Sequence, residues 1–103
     1  MYDPLPAARL LYDARVPGQS LTGLPDSVAP INLDQAYRIQ GILCENLIAT
    51  RGPIQGYKVG CTNASARRLL GINSCFSGRC FEHDIKRSPT TIIHSDYHMV
   101  GIE

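Results

Sequence analysis

The residues best placed to do chemistry are a lone lysine in the run Gly56-Tyr57-Lys58-Val59-Gly60-Cys61-Thr62 and, further on, Cys75, Cys80, His94 and His98. A short run rich in β-branched and aromatic residues and bracketed by glycine reads as a mostly buried strand. Desolvation disfavours a charged ammonium, so a lysine there is paired, functional, or carries its head out to solvent on its aliphatic stem. Thr62 or Asn63 can cap a following helix, whose free amides favour an anion and would seat a carboxylate near Lys58; an ordinary capped turn accounts for the same residues. Four residues separate Cys75 from Cys80, thirteen separate Cys80 from His94, and three separate His94 from His98. That spacing lies close to the two-Cys, two-His structural zinc pattern and defines a small zinc module as an alternative. Ser88-Pro89 suits a helix start that places both histidines on one face, whereas Thr90-Thr91-Ile92-Ile93 is a poor helix former.

The elements that must position these groups can be read from periodicity. Residues 6–15 hold helix formers with Leu10, Leu11 and Ala14 apolar, and Pro17-Gly18 ends the pattern. A loop follows through Gly23 and Pro25. Asp34 is the expected N-cap of a second helix, in which Ala36, Tyr37, Ile39, Gln40, Leu43, Cys44, Leu47 and Ile48 form a stripe up to Gly52-Pro53. Tyr37 and Gln40 read as packing positions on that stripe, not as a recognition face. After the lysine strand, a helix over 64–70 stops at Gly71. From Ile72 the helical period disappears, and Cys80-Phe81, residues 90–93 and residues 99–102 look like strands separated by polar turns. Helices first and strands after predict an α+β fold in one unit, helical over about 4–52 and strand-rich over about 54–103. The chain stops at Glu103 directly after an apolar run, which leads us to expect a fragment of a longer protein.

Composition bounds the function. A chain of 103 residues, 44% hydrophobic and 18% charged, suits one small core. A formal net charge of +1 with scattered basic residues argues against nucleic acid as a partner. No apolar run approaches the ~20 residues of a membrane span, and Met1-Tyr2-Asp3-Pro4 does not open a signal peptide, so a cytoplasmic protein with reduced cysteines is expected.

In order, Ala36-Tyr37-Arg38-Ile39-Gln40, the lysine run, Leu70-Gly71-Ile72, Gly78 and Gly101-Ile102-Glu103 resemble the N-terminal part of the 2-keto-4-pentenoate hydratases. These belong to the fumarylacetoacetate hydrolase superfamily. The resemblance is collinear from about Asp34 on, and it implies the start of that superfamily's β-rich fold. It implies hydration of 2-hydroxypenta-2,4-dienoate, a 2-oxo acid precursor from aromatic catabolism, with Lys58 as the active-site lysine; Thr62, from its place at the helix start, is the second expected substrate contact. It further implies a Mg2+ or Mn2+ ion with Glu103 as its first carboxylate ligand, and a homo-oligomer. Hard divalent cations want several oxygen ligands, so one carboxylate alone holds them weakly. Relatives often carry aspartates where this chain has Glu82-His83-Asp84, which makes Glu82 or His83 the implied proton-handling group; an exposed polar turn is the simpler reading of the same residues. A catalytically silent folded fragment that associates with full-length subunits is the third reading.

Overall fold

The computed structural model describes residues 1–15 and 19–101. Its elements run α1 (Leu5–Asp13), α2 (Leu33–Arg51), β1 (Ile54–Gly60), α3 (Ala64–Leu70) and β2 (Phe76–Phe81), with 3-10 turns at Glu82–Asp84 and His94–Asp96. The α+β class is borne out.

The start of α1 combines a proline in its first turn with the Asp3 carboxylate, whose Oδ1 accepts from the Leu5 amide at 3.0 Å. Ala7 and Ala8 are fully or almost fully buried against Ile39 of α2, small residues that let two helices approach closely. Tyr2, Leu11, Leu24, Val28 and Ile42 surround them, and the Tyr2 hydroxyl donates to the Val28 carbonyl at 2.8 Å.

α2 is capped by Asn32, not by Asp34 as the sequence suggested. The Asn32 backbone is extended and its Oδ1 accepts from the Gln35 amide at 2.9 Å, while Gln35 Oε1 accepts from the Ile31 amide at 3.0 Å. This reciprocal pair satisfies two donors at the helix start and moves Asp34 into the first turn, where its charge suits the positive end of the dipole. The helix ends at Gly52, whose φ of 81° and ψ of −177° belong to a region only glycine occupies readily. That turn sends the chain into β1.

β1 and β2 pair antiparallel, with Lys58 opposite Gly78 and an irregularity between Ile54 and Gly56. The ribbon is anchored by Phe81, buried with Cys44 and Leu47 of α2 and flanked by Tyr12, Leu43 and Ile54. α3 interrupts the hairpin; Asn63 Oδ1 accepts from the Ala66 amide at 2.8 Å, and Gly71 closes it in the left-handed region.

Two expectations are corrected. The lysine strand is not buried: Lys58 is exposed, with Tyr57 at 71% and Val59 at 53%. Among the described residues the sheet has two strands, and α2 packs against β2 and against Ile54 at the start of β1, while residues 57–59 of β1 stay exposed. Residues 90–93 and 99–101 form no strand, because a β-branched run still needs a partner for its ladder and none is supplied here; Ile102 lies outside the described residues. The accessible surface, 8022 Å², exceeds the roughly 5,700 Å² typical of a folded monomer of this mass. Burial is therefore shallower than a single self-contained core would give. No described helix is long and apolar enough to cross a membrane.

Candidate functional site

Strand alternation determines what surrounds Lys58. Its same-face neighbours along β1 are Gly56 and Gly60, and its partner across the ladder is Gly78. A Cβ built on Gly56 or Gly78 would meet nothing within 4 Å, so both positions are open space beside the lysine. Gly60 is different: a Cβ there would lie 2.8 Å from Cε2 of Phe76, whose ring covers that end of the face. Lys58 thus stands on a floor of backbone, with Phe76 and Cys80 as its diagonal neighbours. An ammonium over such a floor suits a flat anion that can lie close to main chain.

The strand leaves this face through Cys61, held at a φ of 55°, a conformation uncommon for a residue with a side chain. Arg67 of α3 donates from Nη1 to the Cys61 carbonyl at 3.0 Å and ties the turn to the helix behind it. Thr62 follows, exposed, four residues from Lys58 on the same segment. Asn63, not Thr62, provides the cap, so one of the helix-start amides that could hold an anion, that of Ala66, is taken by a side chain of the chain itself.

Glu82, His83 and Asp84 lie together at the other end of the ribbon, in the 3-10 turn after β2. The Glu82 amide donates to the Pro53 carbonyl at 2.9 Å. His83 Nδ1 is 3.1 Å from the Thr50 carbonyl; a carbonyl only accepts, so Nδ1 donates and Nε2 is the nitrogen left to accept in the neutral ring. Asp84 pairs with Arg51, the last residue of α2. His83 and Asp84 are thus fastened to the last turn of α2 and Glu82 to Pro53 just beyond it, which gives this turn a structural role. Four ladder positions separate Lys58 from Ile54, the residue opposite Phe81, which is roughly 13 Å of backbone at 3.3 Å per residue. The structure places Glu82 beside His83 in one turn, whereas Lys58 stands within β1, with Thr62 four residues further along the chain beyond the strand's end.

Glu103 lies outside the described residues. Among the described residues no three His, Cys, Asp or Glu side chains gather into a group that could hold a metal ion. Among the described residues no donor set for Mg2+ or Mn2+ is therefore assembled, and Cys75, Cys80, His94 and His98 do not form a zinc set there. His98 instead donates from Nε2 to the Ala14 carbonyl at 2.8 Å, closing the end of α1. All four cysteines are free thiols, and Cys44 is a buried core residue as expected.

Two clefts lie away from the lysine. One, of about 840 Å³, is lined by Leu11, Tyr12, Leu47, Tyr97 and His98 among others, and the second, of about 500 Å³, by Arg51, His83, Asp84, Lys86 and Tyr97. Neither is lined by Lys58 or Thr62, whereas His83, the other group suggested by sequence, lines the second. An open face on a two-stranded ribbon encloses no volume, and for that reason the lysine floor is not a cavity.

Over 92 residues the chain is 30% identical to 2-keto-4-pentenoate hydratase of Paraburkholderia xenovorans strain LB400 and, equally, to 2-keto-4-pentenoate hydratase 3 of Pseudomonas putida. Each match covers 85% of this chain and 34% of the relative, so the chain spans about a third of the length of the curated relatives it matches. No family model matches, and no solved structure matches. The sequence likeness to these hydratases is distant, and the fumarylacetoacetate hydrolase-like fold has no structural neighbour beside it.

Proposed function

We propose that the chain supplies the lysine-bearing part of a hydratase that acts on 2-hydroxypenta-2,4-dienoate or a closely related 2-oxo acid. The observation that carries this reading is Lys58 standing between Gly56, Gly60 and Gly78 on one face of the ribbon. The likeness to two 2-keto-4-pentenoate hydratases supports it.

In this reading the Lys58 ammonium holds the substrate carboxylate and its neighbouring oxygen, and stabilises the negative charge that grows on that oxygen during tautomerisation and addition of water. The backbone floor lets the flat, conjugated acid approach without a side chain in its way. Thr62 is the second substrate contact. Glu82 or His83, the latter through Nε2, would handle the proton in a part of the site that lies roughly 13 Å of backbone from Lys58. Magnesium or manganese would supply further charge stabilisation; its donors, Glu103 included, would come from outside the described residues. Association with further polypeptide, copies of the same subunit included, would cover the exposed Tyr57, Val59, Leu69 and Leu70.

A chimera tests the reading. The Pseudomonas putida relative, with its matching segment replaced by this chain, is expected to hydrate 2-hydroxypenta-2,4-dienoate in the presence of Mg2+ or Mn2+, followed by loss of the dienoate absorbance. Lys58→Met in that chimera should lower kcat/KM by 10³-fold or more, roughly 4 kcal/mol of transition-state stabilisation, with the fold intact. Unchanged turnover would remove Lys58 from the mechanism, and an inactive but folded chimera would count against the hydratase reading.

A further inference from the structure

Two side chains of α2 grip one residue of β2. The Ser77 amide donates to the Tyr37 hydroxyl oxygen at 3.0 Å, and Gln40 Nε2 donates to the Ser77 carbonyl at 2.9 Å. Tyr37 and Gln40 are three residues apart on the helix and so share a face. Ser77 sends both of its backbone groups away from β1, which makes its pair with Val59 the non-hydrogen-bonded kind. Alternation then makes the next pair, Lys58 with Gly78, the hydrogen-bonded kind. A helix has taken the place of a third strand at the outer edge of β2.

We infer that Tyr37 and Gln40 are positioning residues for Lys58, which lock the register of the ribbon and thereby choose the face on which the lysine stands. Register needs such a device here. A one-residue slip moves every side chain to the opposite face, and strands rich in glycine and exposed on both sides specify register weakly. The buried anchor at Phe81 does not supply it, because the irregularity between Ile54 and Gly56 lies between that anchor and Lys58. The grip on Ser77 acts on the Lys58 side of the irregularity, one residue from Gly78. α2 is a firm base for it, since Ile39 between the two gripping residues is buried against Ala7 and Ala8.

The benefit to Lys58 rests on the functional reading above, whereas the grip does not, and the test needs no substrate. Amide exchange and cross-strand nuclear Overhauser effects are measured by NMR on this chain, for the parent and for Tyr37→Phe, Gln40→Met and the double variant. In the double variant, exchange at Lys58 and Gly78 is expected to quicken 10-fold or more and their cross-strand contact to weaken, while Ile39 and Leu47 amides stay protected. A general packing role would loosen the helix amides as well. Gln40→Lys, which keeps a donor of similar reach, should restore the Lys58–Gly78 protection in an otherwise parental background. If the double variant does not fold, each single variant is read in the same way, with a threefold change expected. Parental exchange and contacts at Lys58 and Gly78 in the variants would overturn the inference, whether or not the hydratase reading holds.

Discussion

Lys58 faces Gly78 directly across the ladder, and the space a side chain at 78 would fill is open. Glycine on both strands therefore shapes the surface on which the lysine stands. Main chain forms its floor, the Phe76 ring closes one end above Gly60, and the opening lies over Gly56 and Gly78. Substitutions that begin to fill that opening separate the fold from the chemistry, because a Cβ there meets nothing within 4 Å.

Gly78→Val is the sharpest of these. A Cβ at this position meets no atom within 4 Å, and the position lacks the positive φ that would make a β-branched residue costly. Stability should therefore change by less than about 1 kcal/mol, within the span of strand propensities. Binding of a saturated probe, 2-oxopentanoate, followed by the NMR shifts of Lys58, should weaken at least 10-fold, about 1.4 kcal/mol. Unchanged binding would place the acid elsewhere.

Gly52→Ala tests the other end of the ribbon. Gly52 combines a φ of 81° with an extended ψ, and an added Cβ would lie 3.2 Å from Glu82 Cβ, Glu82 Oε2 and His83 Cδ2. Backbone strain of this kind costs about 1–3 kcal/mol, and the crowded turn must shift as well. A fall of roughly 2 kcal/mol in urea-induced unfolding is expected, with loss of the His83 ring's bond to the Thr50 carbonyl seen in its nitrogen shifts. Parental stability would mean the turn relaxes freely.

Which parts were legible in the sequence follows from how local their causes are. α3 could be read from Asn63 and Gly71 because a cap and a left-handed stop are decided within a few residues. β1 was legible for the same reason. β2 was visible only at Cys80-Phe81, since Ser77-Gly78-Arg79 has little strand character and becomes a strand by pairing with β1. Residues 90–93 show the converse, β-branched residues without a partner. Lys58 was found by its incongruity in an apolar run, but Gly78 as its opposite depends on register, which emerges only when two distant segments meet. The expected burial of Lys58 failed because the run suggested two covered faces, and the structure covers neither at that position. Tyr37 and Gln40 stood in plain view on the helical stripe, yet nothing in a helical period announces that their polar ends meet Ser77.

The cap of α2 gives a local test of that lesson. Asn32→Ala removes the acceptor of the Gln35 amide and should cost about 1 kcal/mol. Asp34→Ala removes only a first-turn charge, worth about 0.3–1 kcal/mol at low salt and less as salt rises. Thermal melts by circular dichroism at two salt concentrations distinguish them: the Asn32 effect should be salt-independent and the Asp34 effect should shrink. The reverse pattern would return the cap to Asp34.

Phe81→Ala asks whether the chain unfolds as one unit. Phe81 is 4% exposed and joins Cys44 and Leu47, whereas Ala7, Ala8 and Ile39 form a separate cluster between the two long helices. Truncating a buried phenylalanine typically costs about 3–5 kcal/mol, and with so few buried partners this cost falls almost entirely on the contact that holds the ribbon to α2. The expected result is a split. Helical circular dichroism from α1 and α2 persists, while amide protection at Ser77 and Gly78 is lost, because the grip of Tyr37 and Gln40 fixes register only on a ribbon that Phe81 has already docked. Simultaneous loss of helix signal and ribbon protection would show instead that the two clusters act as one core.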